Sequence, residues 1–178
     1  MKVLTVLVPT YNVEKYLRRC LDSLLLPEVL EEIEVLVVND GSKDGSADIA
    51  RAYEKKYPQT VVFIDKENGG HGSTINVGIE KAQGTYFKVL DSDDWVNIGD
   101  FIEFVKRLKE ETADAVICDY RKEHVYNGKS EYFEYKDLED GKKYNLNEID
   151  LNILHGEYFM MATTTYRTEV LRASGLKM

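Results

Sequence analysis

Short apolar runs alternate with helical patterns over the first two thirds of the chain, and this alternation restricts the fold to a few architectures. The runs lie at residues 2–8, 33–39, 60–65, 85–91 and 114–120. The first three are almost unbroken and rich in β-branched residues, which is typical of parallel strands covered on both faces. Amphipathic stretches fill the intervals, with Asn12 predicted to cap the first helix and a fourth helix predicted to begin near Ile98. The alternation predicts an α/β fold with a doubly wound, mostly parallel sheet.

After Arg121 the pattern changes and predicts antiparallel additions in the C-terminal half. Asn127–Gly128 lies between two Tyr-containing segments and is typical of a tight hairpin turn. A second turn is predicted at Asp140–Gly141, followed by a strand over 163–166 and a short helix over 169–173. With 178 residues the chain suits a single domain with a sizeable core.

The charge and the cysteines limit the partners and the compartment. The chain has 32 acidic and 23 basic residues and a net charge of −9 without any basic run, so nucleic acid is not an expected partner. No apolar segment reaches the roughly 20 residues that a membrane span needs, so the sequence predicts no span. Cys20 and Cys118 lie in apolar segments without metal-ligand spacing, which favours reduced core thiols in a cytoplasmic protein.

Polar clusters follow several of the predicted strands. In open α/β sheets, ligands bind beyond the carboxyl ends of the strands, where the strand order reverses. Clusters of this kind lie at 9–12, 39–42 and 91–94, and a glycine-rich loop at 68–73 precedes the third helix, where backbone amides can approach an anion. Each cluster taken alone is also explained by turn chemistry, but their joint placement favours a ligand site. Of the three histidines, only His71 lies in such a cluster.

The cluster that follows the fourth strand, Asp91-Ser92-Asp93-Asp94, places three carboxylates at the end of an apolar run. Crowded carboxylates repel one another and resist desolvation, which indicates that a cation binds there. Mg²⁺ and Mn²⁺ prefer oxygen ligands, and Mg²⁺ commonly takes only one or two protein carboxylates together with waters and substrate phosphates. The cluster therefore indicates a divalent cation shared with a phosphorylated ligand, although Asp and Ser are also common in turns and helix caps.

Five motifs occur in order along the chain: V-P-T-Y-N at 8–12, V-N-D-G-S-K-D-G-S at 38–46, E-N-G-G at 67–70, N-V-G-I at 76–79 and L-D-S-D-D-W at 90–95. In this order they resemble the inverting nucleotide-sugar glycosyltransferases of family 2, which have the GT-A fold. The resemblance covers roughly residues 1–110 and is specific because all five motifs agree. It implies a Rossmann-like GT-A fold over 1–178 as a single domain, with 1–120 as the nucleotide-sugar donor half and 121–178 as the start of the acceptor half.

The resemblance implies a site for a nucleoside-diphosphate-sugar, with a UDP-sugar expected. Thr10 and Tyr11 would flank the nucleoside, and Asp40 would accept hydrogen bonds from the base. Asp91 and Asp93 would form the family's D-x-D pair, one near the ribose and the other on Mn²⁺ or Mg²⁺. The cation would offset the repulsion between carboxylates and phosphates and stabilise the charge on the departing nucleoside diphosphate. The expected donor-binding residues are Pro9, Thr10, Tyr11, Asp40, Gly70, His71, Asn76, Asp91 and Ser92, and the expected metal ligands are Asp93 and Asp91.

Two features depart from the family pattern. Many relatives carry Arg where this chain has Ile75, so a cationic contact to the donor is missing or comes from His71 or from a lysine. Inverting transfer also needs a general base, which in relatives belongs to a later acidic motif. We therefore expect the base to lie beyond Met178 and the chain to be the N-terminal part of a longer enzyme. Glu157 and Glu169 are alternative bases, but nothing around them in the sequence supports either.

Two other interpretations of the sequence stay open at this stage. Sugar-1-phosphate nucleotidyltransferases also use a doubly wound sheet, although their glycine-rich, basic loop is replaced here by the 9–12 cluster. A non-catalytic nucleotide-binding module is the second alternative. For the glycosyltransferase, the expected acceptor is a saccharide or a lipid-linked acceptor near the Tyr-rich segment 120–144. The family expectation is a cytoplasmic protein of polysaccharide or cell-wall assembly, with peripheral association at the inner face of the membrane.

Overall fold

The computed structural model describes residues 1–136, 138–145, 147 and 160–178. In chain order its elements are β1 (Leu4–Thr10), α1 (Leu17–Leu24), β2 (Ile33–Asp40), α2 (Ser46–Lys56), β3 (Val61–Lys66), α3 (His71–Lys81), β4 (Tyr86–Val89), α4 (Ile98–Leu108), β5 (Ala115–Ile117), β6 (Tyr120–His124), β7 (Lys129–Phe133), β8 (Thr164–Arg167) and α5 (Thr168–Ala173).

One mixed sheet organises the described part of the chain, with six strands in the order β3-β2-β1-β4-β8-β5. The first four of these strands are parallel, and β8 lies antiparallel between β4 and β5. The register aligns Leu4 of β1 with Ile33 of β2 and with Tyr86 of β4. A separate hairpin is formed by β6 and β7. The doubly wound, mostly parallel α/β sheet with antiparallel additions in the C-terminal half is therefore confirmed.

Apolar side chains cover both faces of the sheet, as continuous apolar strands require. Along β1, Leu4, Val6 and Val8 pack against the buried faces of α1, α2 and α4. Leu7 points the opposite way and joins Phe87 and other strand residues in a second cluster, against α3 and α5. None of the helices described here is both long and apolar enough to cross a membrane.

Most of the predicted local features are confirmed. Asn127–Gly128 forms the turn of the β6-β7 hairpin, with Gly128 at φ +68°, and Asp140–Gly141 also forms a turn. The fourth helix begins at Ile98, because the Asn97 side chain accepts hydrogen bonds from the amides of the first helical turn. The expected strand and helix near the C-terminus are β8 and α5.

One local prediction is wrong, and one predicted strand is shorter than expected. Asn12 does not cap the first helix: α1 begins at Leu17 with Tyr16 at the N-cap position, while Asn12 has φ +54° and directs its side chain to the amide of Lys43. The fifth apolar run, predicted over 114–120, forms a strand that is shorter than the run. Its strand is only Ala115–Ile117 at the sheet edge, because β8 inserts between it and β4.

Candidate functional site

A cleft of about 520 Å³ opens where the strand order reverses. Strands β2 and β3 follow along one edge of β1, whereas β4 pairs with the opposite edge of β1. The strand order therefore reverses between β1 and β4, and the carboxyl ends of these two strands flank the reversal. The cleft is lined by Pro9, Thr10, Tyr11, Val13, Asp40, Asn68, Gly70, His71, Thr74, Asp91, Ser92 and Asp93. This position is the one at which open α/β sheets bind their ligands.

The loop after β1 is fixed by the loop after β2. Backbone amides of residues 12–14 donate to the side chains of Ser42 (3.0 Å), Ser46 (2.9 Å) and Asp44 (3.1 Å). In return, the amides of Lys43 and Gly45 donate to the side chains of residues 12 and 14. The D-G-S-K-D-G segment therefore positions its neighbouring loop through hydrogen bonds, and the adjacent Tyr11 ring is half exposed at the cleft.

Asp40 is buried at the end of β2 and connects the glycine-rich loop to the sheet. Its Oδ1 accepts hydrogen bonds from Lys66 Nζ at 2.6 Å and from the Gly69 amide at 2.9 Å, and its Oδ2 accepts one from the Gly70 amide at 2.9 Å. Burial alone would raise the pKa of the Asp40 carboxyl, but the Lys66 ammonium and the two glycine amides outweigh it and hold that pKa below its ordinary value. Asp40 is therefore an ionised acceptor that also holds the loop.

The glycine-rich loop leads into α3 at the cleft. Gly70 precedes the helix with φ +84°, a left-handed conformation that suits glycine, and His71 is the first helical residue. The first amides of a helix lack intrahelical partners and can bind an anion. His71 Nε2 lies 3.2 Å from Asp91 Oδ1, so the start of α3 meets the acidic cluster after β4. The loop and the acidic cluster thus form two walls of the same cleft.

The acidic cluster after β4 concentrates negative charge at the cleft. Ser92 is buried, Asp91 is half exposed, and Asp93 and Asp94 face solvent. The pKa of Asp94 is raised, chiefly because its carboxyl is partly desolvated and to a smaller extent because the Asp93 and Asp91 carboxylates repel its negative charge. Burial and these same three carboxylates raise the pKa of the nearby Cys20 thiol. A cation bound beside these carboxylates would offset the repulsion between their negative charges.

The oxygen ligands of the cluster fit a divalent cation that is shared with a ligand. Among the residues described, no three His, Cys, Asp or Glu side chains converge closely enough to hold a metal ion by themselves. Asp91 and Asp93 nevertheless both line the cleft and offer hard carboxylate oxygens. Mg²⁺ commonly uses one or two carboxylates and completes its shell with waters and phosphates. The residues present therefore suit a cation whose remaining ligands come from water and a bound phosphate.

Nine of the ten residues predicted for the site line the cleft, and Asn76 is the exception. Its side-chain amide instead pairs with the backbone of Met178, donating at 2.7 Å and accepting at 3.0 Å. Ile75, which replaces the arginine of many relatives, is buried in the apolar cluster beneath α3. Glu169 lies on α5 outside the cleft lining, 4.0 Å from Arg167, and Glu157 lies outside the described residues.

Sequence reasoning missed Val13, Thr74 and Lys66, and it placed Asn68 in the glycine-rich loop without assigning it to the site. Val13 and Thr74 lie just outside the polar clusters at 9–12 and 68–73, so nothing in the sequence pattern singles them out. Lys66 is the last residue of β3 and lies opposite Asp40 at the end of β2, a register that the structure shows and the sequence pattern does not specify.

Comparison with known proteins gives a family. The family described as "Glycosyl transferase family 2" matches residues 5–170. A Bacillus subtilis protein named "Putative glycosyltransferase EpsH" is 42% identical over 126 residues, which are 71% of this chain and 36% of that protein. GgaB of Bacillus subtilis, named a minor teichoic acid biosynthesis protein, is 41% identical over 98 residues, 54% of this chain and 11% of that protein.

A solved structure of similar fold is residues 1–349 of S. aureus TarS, with a TM-score of 0.78 and 28% identity over 99% of this chain and 50% of that chain. The same TarS segment in complex with UDP-GlcNAc gives a TM-score of 0.70 at 26% identity, over 99% of this chain and 48% of that one. The chain thus spans about half of the TarS structure and about a third or less of the two curated relatives. The match over residues 5–170 shows that the chain belongs to glycosyl transferase family 2 and has the GT-A fold.

Proposed function

We propose that this chain binds the donor of a glycosyltransferase that moves a sugar from a UDP-sugar to an acceptor hydroxyl with inversion, assisted by Mn²⁺ or Mg²⁺. The observation that carries the proposal is the cleft at the strand-order reversal. Nucleoside-side residues (Tyr11, Asp40) and phosphate-side residues (Gly70, Asp91, Asp93) line that same cleft. A nucleoside diphosphate needs both kinds of contact at once.

In the proposed complex the nucleoside lies between the loops that follow β1 and β2. The half-exposed Tyr11 offers an aromatic face to the base, and Asp40 accepts a hydrogen bond from a base N–H. The start of α3, with Gly70 and His71, faces the diphosphate through backbone amides and a side chain that carries charge only when protonated. Ser92 contributes to the cleft wall beside the ribose.

Asp93 and Asp91 are the residues proposed to hold the cation. When bound, the divalent cation supplies a positive charge that offsets carboxylate–phosphate repulsion and stabilises the departing UDP. The chain's own contribution is to orient these carboxylates: the Asp94 amide donates to the Asp91 carbonyl at 2.9 Å and forms a tight turn after β4. A protein with a net charge of −9 has a particular need of such a counter-charge to bind a diphosphate.

The transfer step needs a base on the acceptor side. Inversion requires a carboxylate that deprotonates the acceptor hydroxyl opposite the leaving group. Asp40, Asp91 and Asp93, the carboxylates that line the described cleft, are already proposed for the donor. As the family resemblance implies, we propose that the base belongs to a later acidic motif beyond Met178. We accordingly expect the 178-residue chain to bind UDP and to transfer sugar poorly.

The comparisons support a glycosyltransferase over a nucleotidyltransferase. TarS, a relative of the same fold at 26% identity, has been solved with UDP-GlcNAc, which supports a UDP-sugar donor here. GgaB is named for teichoic acid biosynthesis, which supports a saccharide or lipid-linked acceptor in cell-wall or polysaccharide assembly. We propose that this acceptor is met in the cytoplasm at the inner face of the membrane. A non-catalytic nucleotide-binding module would share the donor contacts, and only turnover by a longer protein separates it from the enzyme.

Isothermal titration of the chain with UDP in Mn²⁺ buffer tests the donor site. We expect measurable binding that weakens on chelation of the metal, and a loss of about tenfold or more in affinity for Asp93→Asn, equal to about 1.4 kcal/mol. Asp48→Asn is the matched control, because Asp48 is an exposed aspartate on α2 that pairs with Arg51. Absence of UDP binding by the wild type in Mn²⁺, or equal affinity of Asp93→Asn and the wild type, would contradict the proposal.

A further inference from the structure

Lys66 is a nearly enclosed lysine that the donor-site description leaves without a role. Its side chain is 21% exposed and faces the Asp40 side chain, which is 4% exposed, across the ends of β3 and β2. Its Nζ donates to Asp40 Oδ1 at 2.6 Å, to the Glu67 carbonyl at 2.6 Å and to Ser73 Oγ at 2.9 Å. An ammonium has three donors, so all the donors of Lys66 are used within this network.

The network restricts what Asp40 can offer to a ligand. A carboxylate has about four acceptor positions, two on each oxygen. Among the residues described, Lys66 and the Gly69 amide occupy both positions of Oδ1, and the Gly70 amide occupies one position of Oδ2. A ligand in the cleft therefore meets a carboxylate with one oxygen saturated and one acceptor position left on the other.

We propose that Lys66 is a positioning residue that sets base selection, by saturating Asp40 Oδ1 so that Asp40 can accept only one N–H from the donor base. The inference rests on the proposed function and deepens it. Uracil and thymine present a single imide N–H, which one acceptor position satisfies. Guanine presents N1–H and a 2-amino N–H side by side, and it needs one free position on each oxygen for paired hydrogen bonds.

The other bases are disfavoured for a different reason. Cytosine N3 and adenine N1 are acceptors at the corresponding edge, so they would face the carboxylate with two acceptors and no proton between them. A site built around one N–H discriminates strongly, because the wrong base leaves buried polar groups unpaired. Lys66 does not line the cleft, and Asp40 is the cleft-lining side chain to which it donates, so it acts on the base indirectly.

The ratio of UDP to GDP affinity, measured by calorimetry on the 178-residue chain in Mn²⁺ buffer, tests this role. In Lys66→Met, one position of Oδ1 becomes free, and we expect GDP to bind more tightly than in the wild type and the UDP-to-GDP ratio to fall about tenfold or more. Lys66→Arg returns a cationic donor to Oδ1 and should restore most of the wild-type ratio. A general disturbance of the fold would lower the affinity for UDP and for GDP alike and would leave their ratio unchanged.

Lys109→Met is the matched control, because Lys109 also contacts a carboxylate, Glu32, at 2.6 Å and neither residue lines the cleft. Wild-type UDP binding combined with a Lys66→Met variant that binds GDP no better than the wild type does would overturn the inference and leave the donor site intact. An equal change of ratio in Lys109→Met would overturn it as well. Failure of the wild type to bind UDP at all would instead remove the proposed function beneath it.

A measurement on the wild type alone covers the case in which Lys66→Met does not fold. Inosine diphosphate keeps the N1–H of guanine and lacks its 2-amino group. With one acceptor position on Asp40, GDP should bind no more tightly than inosine diphosphate. A preference for GDP of about tenfold would show that both Asp40 oxygens accept from the base, and it would overturn the inference.

Discussion

The strands β1, β2 and β4 of the N-terminal half, residues 1–110, are buried along their whole length, whereas β6 and β7 of residues 111–178 are mostly exposed. The first group is parallel and covered by helices on both faces, and the strands of the second half pair antiparallel. Among the residues that the structure describes, those that line the cleft all fall between Pro9 and Asp93. The difference shows that the site is built by the N-terminal half, whose apolar strands fix the positions of their polar ends.

The C-terminal half is attached to this scaffold mainly through the backbone of the N-terminal half. Strand β8 pairs with β4, and Thr168 Oγ1 donates to the Gly84 carbonyl at 2.6 Å. The guanidinium of Arg172 donates to the carbonyl oxygens of Ile79 (2.9 Å), Glu80 (3.1 Å) and Ala82 (2.7 Å) at the end of α3. The apolar side chains that residues 111–178 add to the two clusters, Val116, Met161 and Leu171, are only partly buried, so the two halves should respond differently to mutation.

Two leucines in the same apolar cluster give the largest expected contrast. Leu36 of β2 is 1% exposed, whereas Leu171 of α5 is only partly buried at the border of that cluster. We expect Leu36→Ala to lower the free energy of unfolding by about 3 kcal/mol, because the removed methyl groups leave a cavity in a closed core. Leu171→Ala should cost about 1 kcal/mol, because its site can refill with solvent. Urea denaturation followed by circular dichroism measures both, and equal losses would break the distinction between the halves.

The same distinction explains which parts of the fold were predictable from the sequence. Strands covered on both faces have unbroken apolar runs in the sequence. For this reason β1, β2 and the alternation of strands and helices were predictable. The insertion of β8 between β4 and β5 depends on hydrogen bonds to segments about 80 and about 50 residues earlier in the chain, and T-T-Y-R carries little sign of it. The wrong helix cap at Asn12 has a similar origin, because its side chain serves a neighbouring loop.

The site was predictable to the extent that polar residues at strand ends must meet at one edge of a parallel sheet. This rule brought Asp40, Asp91 and Asp93 together correctly. It does not assign hydrogen-bond partners, which depend on register and side-chain reach. For that reason the pairing of Lys66 with Asp40, and the contact of Asn76 with Met178, were not foreseen.

A pair of arginines tests how the C-terminal half is held. Arg172→Ala removes three charge-assisted hydrogen bonds to the end of α3, and we expect a loss of about 1.5 kcal/mol in the free energy of unfolding. Arg107→Ala is the control, since Arg107 pairs with Asp140 on an open surface and should show no resolvable change. Chemical denaturation in parallel measures both variants. A larger loss for Arg107→Ala would mean that the C-terminal half is held by surface ion pairs with α4 more than by its hydrogen bonds to α3.

The smallest expected effect is a loss of stability at low pH that comes from Glu111, which lies where the two halves of the chain join. Glu111 follows α4, and a 2.8 Å ion pair with Lys143, together with the amides of Ala113 and Thr112, lowers the pKa of its carboxyl to about 2 from an ordinary 4.5. A carboxyl whose folded pKa lies below its unfolded value adds stability above the unfolded value, and this stability is lost as the pH falls toward the folded pKa.

Because Lys143 is largely solvent-exposed, screening reduces this contribution, and we expect it to be about 1 kcal/mol. The free energy of unfolding of the wild type should therefore fall by about 1 kcal/mol more than that of Glu111→Gln between about pH 6 and about pH 3. Glu110→Gln, which neutralises the exposed neighbouring carboxylate, should retain the wild-type slope. If Glu111→Gln follows the wild-type pH profile instead, the junction owes its stability to apolar packing, and the halves are joined in the same way as the strands of the N-terminal sheet.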